Sequence, residues 1–247
     1  MDAVEYEKMN EIHGAYWWYH GRRFVVRTLL EKYLGRSGDK TGSAKVLDLG
    51  CGTGGNISIF KTFGRVVGVD SSDTALSFAR RNKGYDDLFK MECDSLNFEG
   101  EKFDCIAALD VFEHTDDEAA LSESYRVLKP GGILIATVPA YQWLWSGHDE
   151  VFGHRRRYTR KGFLVKVIKA GFLPLFVSYY VSFLFPLIAA FRLGEKFVRN
   201  KRESHFYPLP PAAHWVLSRI IFFEGILLRF GIRFPFGSSI IIIVRKP

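Results

Sequence analysis

Residues Lys45 to Asp70 constrain this chain more than any other stretch. They read KVLDLG, GCGTGG, NISIFKTFG and RVVGVD: an apolar run, a glycine-rich break, a helical segment and a second apolar run. Runs this short and apolar, separated by a helix, read as strands buried on both faces of a parallel sheet. The alternation then continues. SSDTALSFARRN reads as a helix with Ser71, Ser72 or Asp73 as its cap. DLFKMECD gives a third strand, FDCIAALD a fourth, DDEAALSESYRVLK a helix stopped by Pro130-Gly131-Gly132, and GILIATVP a fifth strand. TRKGFLVKVIKAGF is a further helix, PLFVSYYV a sixth strand and SSIIIIVRK the last. The expected class is α/β, with helices on both faces of the sheet.

Glycines in the loop let backbone approach a ligand without a Cβ between them. A glycine loop after a first strand is common to several nucleotide-binding enzymes, so its companions decide the reading. Asp48 stands two residues before Gly50. Asp70 closes the second strand, twenty residues after Gly50, where a carboxylate accepts hydrogen bonds from ribose hydroxyls. Cys93-Asp94-Ser95 closes the third strand, LDVFEH (109–114) the fourth, and LKPGG precedes the fifth. The loop is G-x-G-x-G-G rather than G-x-G-x-x-G, which disfavours a nicotinamide cofactor.

These markers, in this order, resemble the class I S-adenosylmethionine-dependent methyltransferases of the type 11 group, over about residues 10–180 plus the last strand. The resemblance implies a Rossmann-like seven-stranded sheet, mostly parallel, with the last strand antiparallel beside the sixth. It implies S-adenosylmethionine as cofactor at the carboxyl ends of the strands. Carried over position by position, Gly50, Cys51, Gly52 and Gly54 line the methionine part and Asp48 meets its ammonium. Asp70 and Ser71 take the ribose, Cys93, Asp94 and Ser95 the adenine, and Leu109 and Asp110 close the pocket below the sulfonium. YWWYHGRR (16–23) is expected to fold over the cofactor as a lid, with Arg22 or Arg23 on the methionine carboxylate. The alternative is that Trp17 and Trp18 cap the core and the arginines are solvated.

HDEVFGHRRRYTR (148–160) follows the fifth strand on the same rim. A metal site is discounted, since His148 and His154 stand six apart around Gly153 with no cysteine near. Asp149, Glu150 and Asp110 keep only a residual magnesium option. Nucleic acid is discounted too, because Arg155, Arg156 and Arg157 form one short cluster balanced by nearby acids. The reading is an acceptor loop. His148 is the expected general base, Asp149 its orienting carboxylate and His114 the rival base. Tyr141, His154, Arg155, Arg156, Arg157 and Tyr158 are the expected substrate contacts, the arginines clamping a phosphate or carboxylate. In the competing structural reading, Asp149 and the arginines pair with each other and hold the loop shut.

Charge divides the chain. From Phe183 onward there are ten Lys/Arg against three acids, so the whole excess of +7 lies there. The same region is a long insertion between the last two strands, Ser182 to Gly237, holding two apolar segments threaded with basic residues. Ser182 and Pro186 in one, and Arg219 and Glu224 in the other, argue against transmembrane helices. Helices lying in an anionic membrane surface fit the pattern, with burial or a dimer interface as alternatives. The chain then divides into a lid segment (1–44), the cofactor domain (45–181 and 238–247) and the insertion (182–237).

The amino terminus lacks a signal-peptide pattern, and Cys51, Cys93 and Cys105 are spaced like reduced thiols. A cytoplasmic enzyme, peripheral on the inner membrane face, is expected. Its expected activity is O-methylation of an amphiphilic or lipid-linked acceptor: a polyprenyl-phosphate sugar, a glycolipid or a quinone. The alternatives are a soluble small-molecule acceptor, or a cofactor-binding partner subunit without turnover.

Overall fold

A computed structural model describes residues 3–14, 16–35, 44–82, 84–197 and 209–247, with the side chains of residues 3, 196 and 197 excepted. Residues 36–43 of the lid segment and 198–208 of the insertion, with the basic positions Arg199, Lys201 and Arg202, lie outside the described residues. Seven strands form one sheet: β1 (Ala44–Leu49), β2 (Gly64–Asp70), β3 (Asp87–Lys90), β4 (Phe103–Leu109), β5 (Leu128–Pro139), β6 (Leu173–Tyr180) and β7 (Ser239–Arg245). Their order is β3-β2-β1-β4-β5-β7-β6. β7 runs antiparallel to both its neighbours, pairing Thr137 with Ile241 on one side and Ser178 with Ile241 on the other. The expected Rossmann-like sheet with one antiparallel last strand is the observed one.

β7 illustrates why the sheet sits at the centre. Ile240 to Val244 are fully buried, yet the side chains divide by parity. Ile240, Ile242 and Val244 join one core cluster, Ile241 and Ile243 the other, because successive side chains of a strand point to opposite faces. The first cluster packs the sheet against α5 (Asp117–Val127) and α7 (Arg160–Lys169) through Leu121, Val127, Phe163 and Val167. The second packs it against α2 (Trp17–Tyr33), α3 (Ile57–Phe60) and α9 (Pro211–Arg229) through Leu29, Phe60, Ile221 and Leu228. Each such aliphatic or aromatic side chain contributes about 1.5–3 kcal/mol on burial.

α9 and α2 come together through reciprocal close approaches. A Cβ on Gly21 of α2 would lie 2.7 Å from Ile221, and one on Gly225 of α9 would lie 2.9 Å from Phe24. The amino-terminal segment and the insertion therefore form one helical layer on this face of the sheet. Glu224, buried on α9, accepts the backbone N–H of Ser182 at 2.8 Å and of Phe183 at 3.4 Å. That bond ties α9 to the chain as it leaves β6, where Val181 adopts a left-handed φ of 58°, strained for a β-branched residue. The residue that interrupts the apolar sequence thus has a fold-specific partner.

Four local expectations are corrected. NISIFKTFG forms only the one-turn α3. β3 ends at Lys90, so Cys93, Asp94 and Ser95 lie in the loop after it. DDEAALSESYRVLK leaves the helix at Val127, and LKPGG enters β5. The start of HDEVFGHRRRYTR is helical: α6 spans Gly147–Phe152, stopped at Gly153 in the left-handed conformation (φ 70°). α9 also departs from expectation: with 19 residues it is long and apolar enough by length and composition to cross a membrane. α8 (Phe185–Phe197), at 13 residues, is too short.

Candidate active site

The carboxyl ends of β1, β2, β4 and β5 open on one edge, and the antiparallel β7 brings its first residue, Ser239, to the same edge opposite Pro139. A cavity of about 1130 Å³ lies there. α1 (Ala3–Ile12) and the first turns of α2 cover one end of it, and α8 and α9 the other.

At the first end the glycine loop presents Gly50, Cys51 and Gly52 to the cavity, and Asp70 and Ser71 stand beside them. Gly50 has φ 69°, and a Cβ there would lie 2.6 Å from Val111. Asp70 braces the loop, accepting the Gly52 N–H at 2.8 Å through one oxygen and the Ser72 N–H at 2.9 Å through the other. Burial pushes its carboxyl above the ordinary value, while those amide donors pull the other way. Cys93 and Asp94 line the next part of the wall, and Asp94 accepts from the Thr115 hydroxyl at 2.8 Å. Leu109, Asp110 and Arg22 continue it. Asp110, left-handed at φ 59°, is held between Thr137 Oγ1 at 2.9 Å and the Arg22 guanidinium at 2.5 Å.

Other expected contacts are placed elsewhere. Asp48 is buried behind the loop, its carboxylate accepting the Tyr85 hydroxyl at 2.6 Å, and burial lifts its pKa to about 7. It does not reach the cavity wall. Gly54 packs against Ala79 of α4 (Asp73–Arg81), and Ser95 pairs with Glu92 in the loop. Arg23 donates to the carbonyls of His13 at 2.8 Å and Gly55 at 3.3 Å, fastening α1 to the glycine loop. Of the two arginines, Arg22 is the one on the wall.

Two wall elements went unread in the sequence. Tyr6, Met9 and His13 of the amino-terminal segment close over the loop, where His13 Nδ1 lies 3.1 Å from Thr53 Oγ1. Glu113 was visible inside LDVFEH but assigned nothing; it is fully buried on the wall.

The acceptor loop is rearranged relative to expectation. Asp149 is not the partner of His148. Its oxygens accept from His154 Nδ1 at 2.8 Å, Arg157 Nε at 2.7 Å, Arg157 Nη2 at 2.9 Å and the Ser146 amide at 2.9 Å. These donors hold the Asp149 carboxyl well below the usual carboxylate range despite its burial. An ionised carboxylate only accepts, so His154 donates to it through Nδ1, and in the neutral ring the lone pair falls on Nε2. His148 and His114 line the cavity as well, but burial drives both toward the neutral form, His148 far down and His114 to about 4.

The expected clamp is mostly structural. Arg156 pairs with Asp117 at 3.0 Å. Tyr158, buried, donates to Asp117 at 2.8 Å. Tyr141 stacks on Tyr179 with ring centroids 5.1 Å apart, off the wall. Arg155 and Arg157 lie on the wall, Arg157 committed to Asp149.

The residues fit S-adenosylmethionine: bare loop backbone, two carboxylates on the wall for ribose and adenine, and a guanidinium for the methionine carboxylate. Comparison with known proteins agrees. Residues 47–136 match the family described as a methyltransferase domain. A Debaryomyces hansenii sterol 24-C-methyltransferase is 31% identical over 63% of this chain and 43% of its own length. A Yersinia pestis malonyl-[acyl-carrier protein] O-methyltransferase is 37% identical over 36% of this chain and 34% of its own. The chain thus spans less than half the length of these relatives. A Thermotoga maritima S-adenosylmethionine-dependent methyltransferase structure superposes with a TM-score of 0.61 at 17% identity, covering 99% of this chain and 95% of that one. The chain carries a class I S-adenosylmethionine-dependent methyltransferase domain, with S-adenosylmethionine as its cofactor.

Proposed function

We propose that the protein methylates a hydroxyl of an amphiphilic, lipid-linked acceptor at a membrane surface. The observation that carries this is the second half of the cavity. Leu184, Leu187, Ile188, Phe191 and Leu217 from the insertion roof it, opposite Leu144 and Phe152. An apolar chamber beside a polar cofactor end suits a ligand with a polar head and a hydrocarbon body.

The cofactor, when bound, supplies an electrophilic methyl group on a sulfonium. Asp70, Asp94 and Arg22 would hold the cofactor, and the roof would exclude water from the acceptor. In the transfer a C–O bond forms as the C–S bond breaks, and the hydroxyl proton leaves. The imidazole cluster receives that proton, with His154 best placed because Asp149 fixes its tautomer and stabilises its protonated form. Alignment does most of the remaining work, as expected for an in-line displacement.

Membrane contact rests on the outer face of α9. Val216, Phe223, Ile226 and Phe230 are exposed at helical spacing, with Trp215 beside them and the Arg219 guanidinium stacked over the Trp215 ring at 5.2 Å. Aromatic side chains interleaved with arginine suit the headgroup region. The test is incubation with methyl-labelled S-adenosylmethionine and host-cell extract, followed by partition between solvent and water. Label in the organic phase, absent with His154→Ala, supports this reading. Label confined to the aqueous phase would sink the lipid acceptor in favour of a soluble one.

A further inference from the structure

Glu113 has no counterpart in the mechanism above. Its side chain is fully buried on the cavity wall, and both carboxylate oxygens lack a hydrogen-bond partner among the described residues. An unpaired carboxylate in such a place is costly unless a cation or a proton compensates it. Its surroundings hold two nitrogen donors. One donor atom each from Glu113, His114 and His154 lie within 4.8 Å of one another. The His114 and His154 rings meet edge to face with centroids 4.7 Å apart.

We propose that Glu113, His114 and His154 form a site for a divalent transition cation of the zinc type, open toward the acceptor half of the cavity. Two imidazoles and one carboxylate are a donor set that Zn²⁺ takes in catalytic sites, leaving a fourth position for an exogenous oxygen. One ring nitrogen is prepared for it. Asp149 holds the Nδ1 proton of His154, which leaves Nε2 for a cation, in the carboxylate–histidine–metal arrangement. Tetrahedral donors stand about 3.4 Å apart, so modest side-chain movement closes the set.

The site deepens the proposed function and rests on the reading of this chamber as the acceptor site. With a cation present, His154 is a ligand, and the cation makes an acceptor hydroxyl more acidic in place of the bare imidazole. The class of acceptor narrows to one whose hydroxyl can occupy an open metal position.

The test titrates the chelator-treated full chain with Co²⁺, read by visible ligand-field absorption, and with Zn²⁺ by equilibrium dialysis. One equivalent should bind. Glu113→Gln and His154→Gln should each weaken it by about tenfold or more, with S-adenosylmethionine affinity unchanged as the check on folding. No uptake by the wild-type chain, or equal uptake by Glu113→Gln, overturns the site. Neither readout needs the acceptor. Methyl transfer to a lipid-phase product without cation uptake would refute the site alone, and cation uptake with aqueous-phase label alone would refute the lipid acceptor and keep the site.

Discussion

Asp149 follows His148 in sequence but bonds His154, 2.8 Å from carboxylate oxygen to Nδ1. The link exists because α6 carries Asp149 inward, fully buried, and Gly153 reverses the chain to bring His154 back onto it. Arg157 then closes the second side of the carboxylate. The pairing transfers the orienting role from the expected histidine to one five residues further on.

The two histidines should therefore differ in their effect on turnover. His154→Ala is expected to lower the methyl-transfer rate about a hundredfold, in the range for loss of a positioned acid–base group. His148→Ala should cost less, since burial lowers that ring's affinity for a proton. Single-turnover rates at saturating cofactor, with cofactor affinity measured separately, decide the order. A larger loss in His148→Ala would return the role to the residue favoured by sequence.

Replacing Asp149 itself should strike stability as well. Arg157 and Asp149 are both buried, and removing one member leaves the other charge uncompensated, a cost of about 3–5 kcal/mol. Asp149→Asn should thus show a clearly lowered denaturant midpoint along with slower turnover. A midpoint equal to wild type would mean that solvent reaches Arg157.

The sheet was legible because its signals are local. Fully apolar strands such as SIIIIVR and the spacing from Gly50 to Asp70 need no tertiary information. The cavity wall was legible where it is built from strand ends, as at Asp70 and Asp110. It was misread where partners come from distant segments. Nothing near Asp48 in sequence announces Tyr85, and nothing near Arg156 announces Asp117. Glu113 meets His154 only through the fold, so a metal search confined to the 148–160 loop could not find the pair. Glu224 looked like an interruption in an apolar run because its acceptor role depends on the Ser182 turn.

The glycine loop offers an internal control. Gly50 and Gly52 both have positive φ, 69° and 54°, so alanine at either carries backbone strain of about 1–2 kcal/mol. Only at Gly50 would the new Cβ also overlap Val111, at 2.6 Å; at Gly52 the nearest atom is Met9 Cε at 3.4 Å. Gly50→Ala should lower the thermal midpoint more than Gly52→Ala. Comparable losses would show that Val111 yields to the added methyl.

Two buried acids set a pH dependence of stability. Asp48 and Glu224 are lifted from 3.8 and 4.5 to about 7 by burial. Their folded pKa values lie above the unfolded ones, so between those limits the native chain holds protons that the unfolded chain has released. Their contribution is fully present only below the unfolded values of 3.8 and 4.5 and is lost as pH rises to about 7. Asp149 acts with the opposite sign: its carboxyl is depressed, and its stabilisation fades only as pH falls below the usual carboxylate range. The buried histidines His13, His114 and His148, pushed below the ordinary histidine value, gain stability over the same range, so the two acids show as a difference: from pH 5.5 to 8 the denaturant midpoint of wild type should fall relative to that of Asp48→Asn with Glu224→Gln. An unchanged slope in the double variant would place the titration in other groups.

The outer face of α9 separates membrane contact from mere helix packing. Its inner face, with Ile221, Gly225 and Leu228, is occupied by α2, so substitutions there should unfold the layer whatever the outer face does. Trp215 and Phe223 point outward, 61% and 55% exposed. Glutamate at both positions leaves the core untouched and puts two like charges against an anionic surface. The double variant should keep its thermal midpoint and its cofactor affinity while losing co-sedimentation with vesicles containing anionic lipid. Wild-type binding to those vesicles should weaken with salt, because the basic excess of the insertion contributes alongside the apolar face. Sedimentation that ignores both salt and the two glutamates would remove the membrane from the account of this helix and leave its apolar stripe to a protein partner.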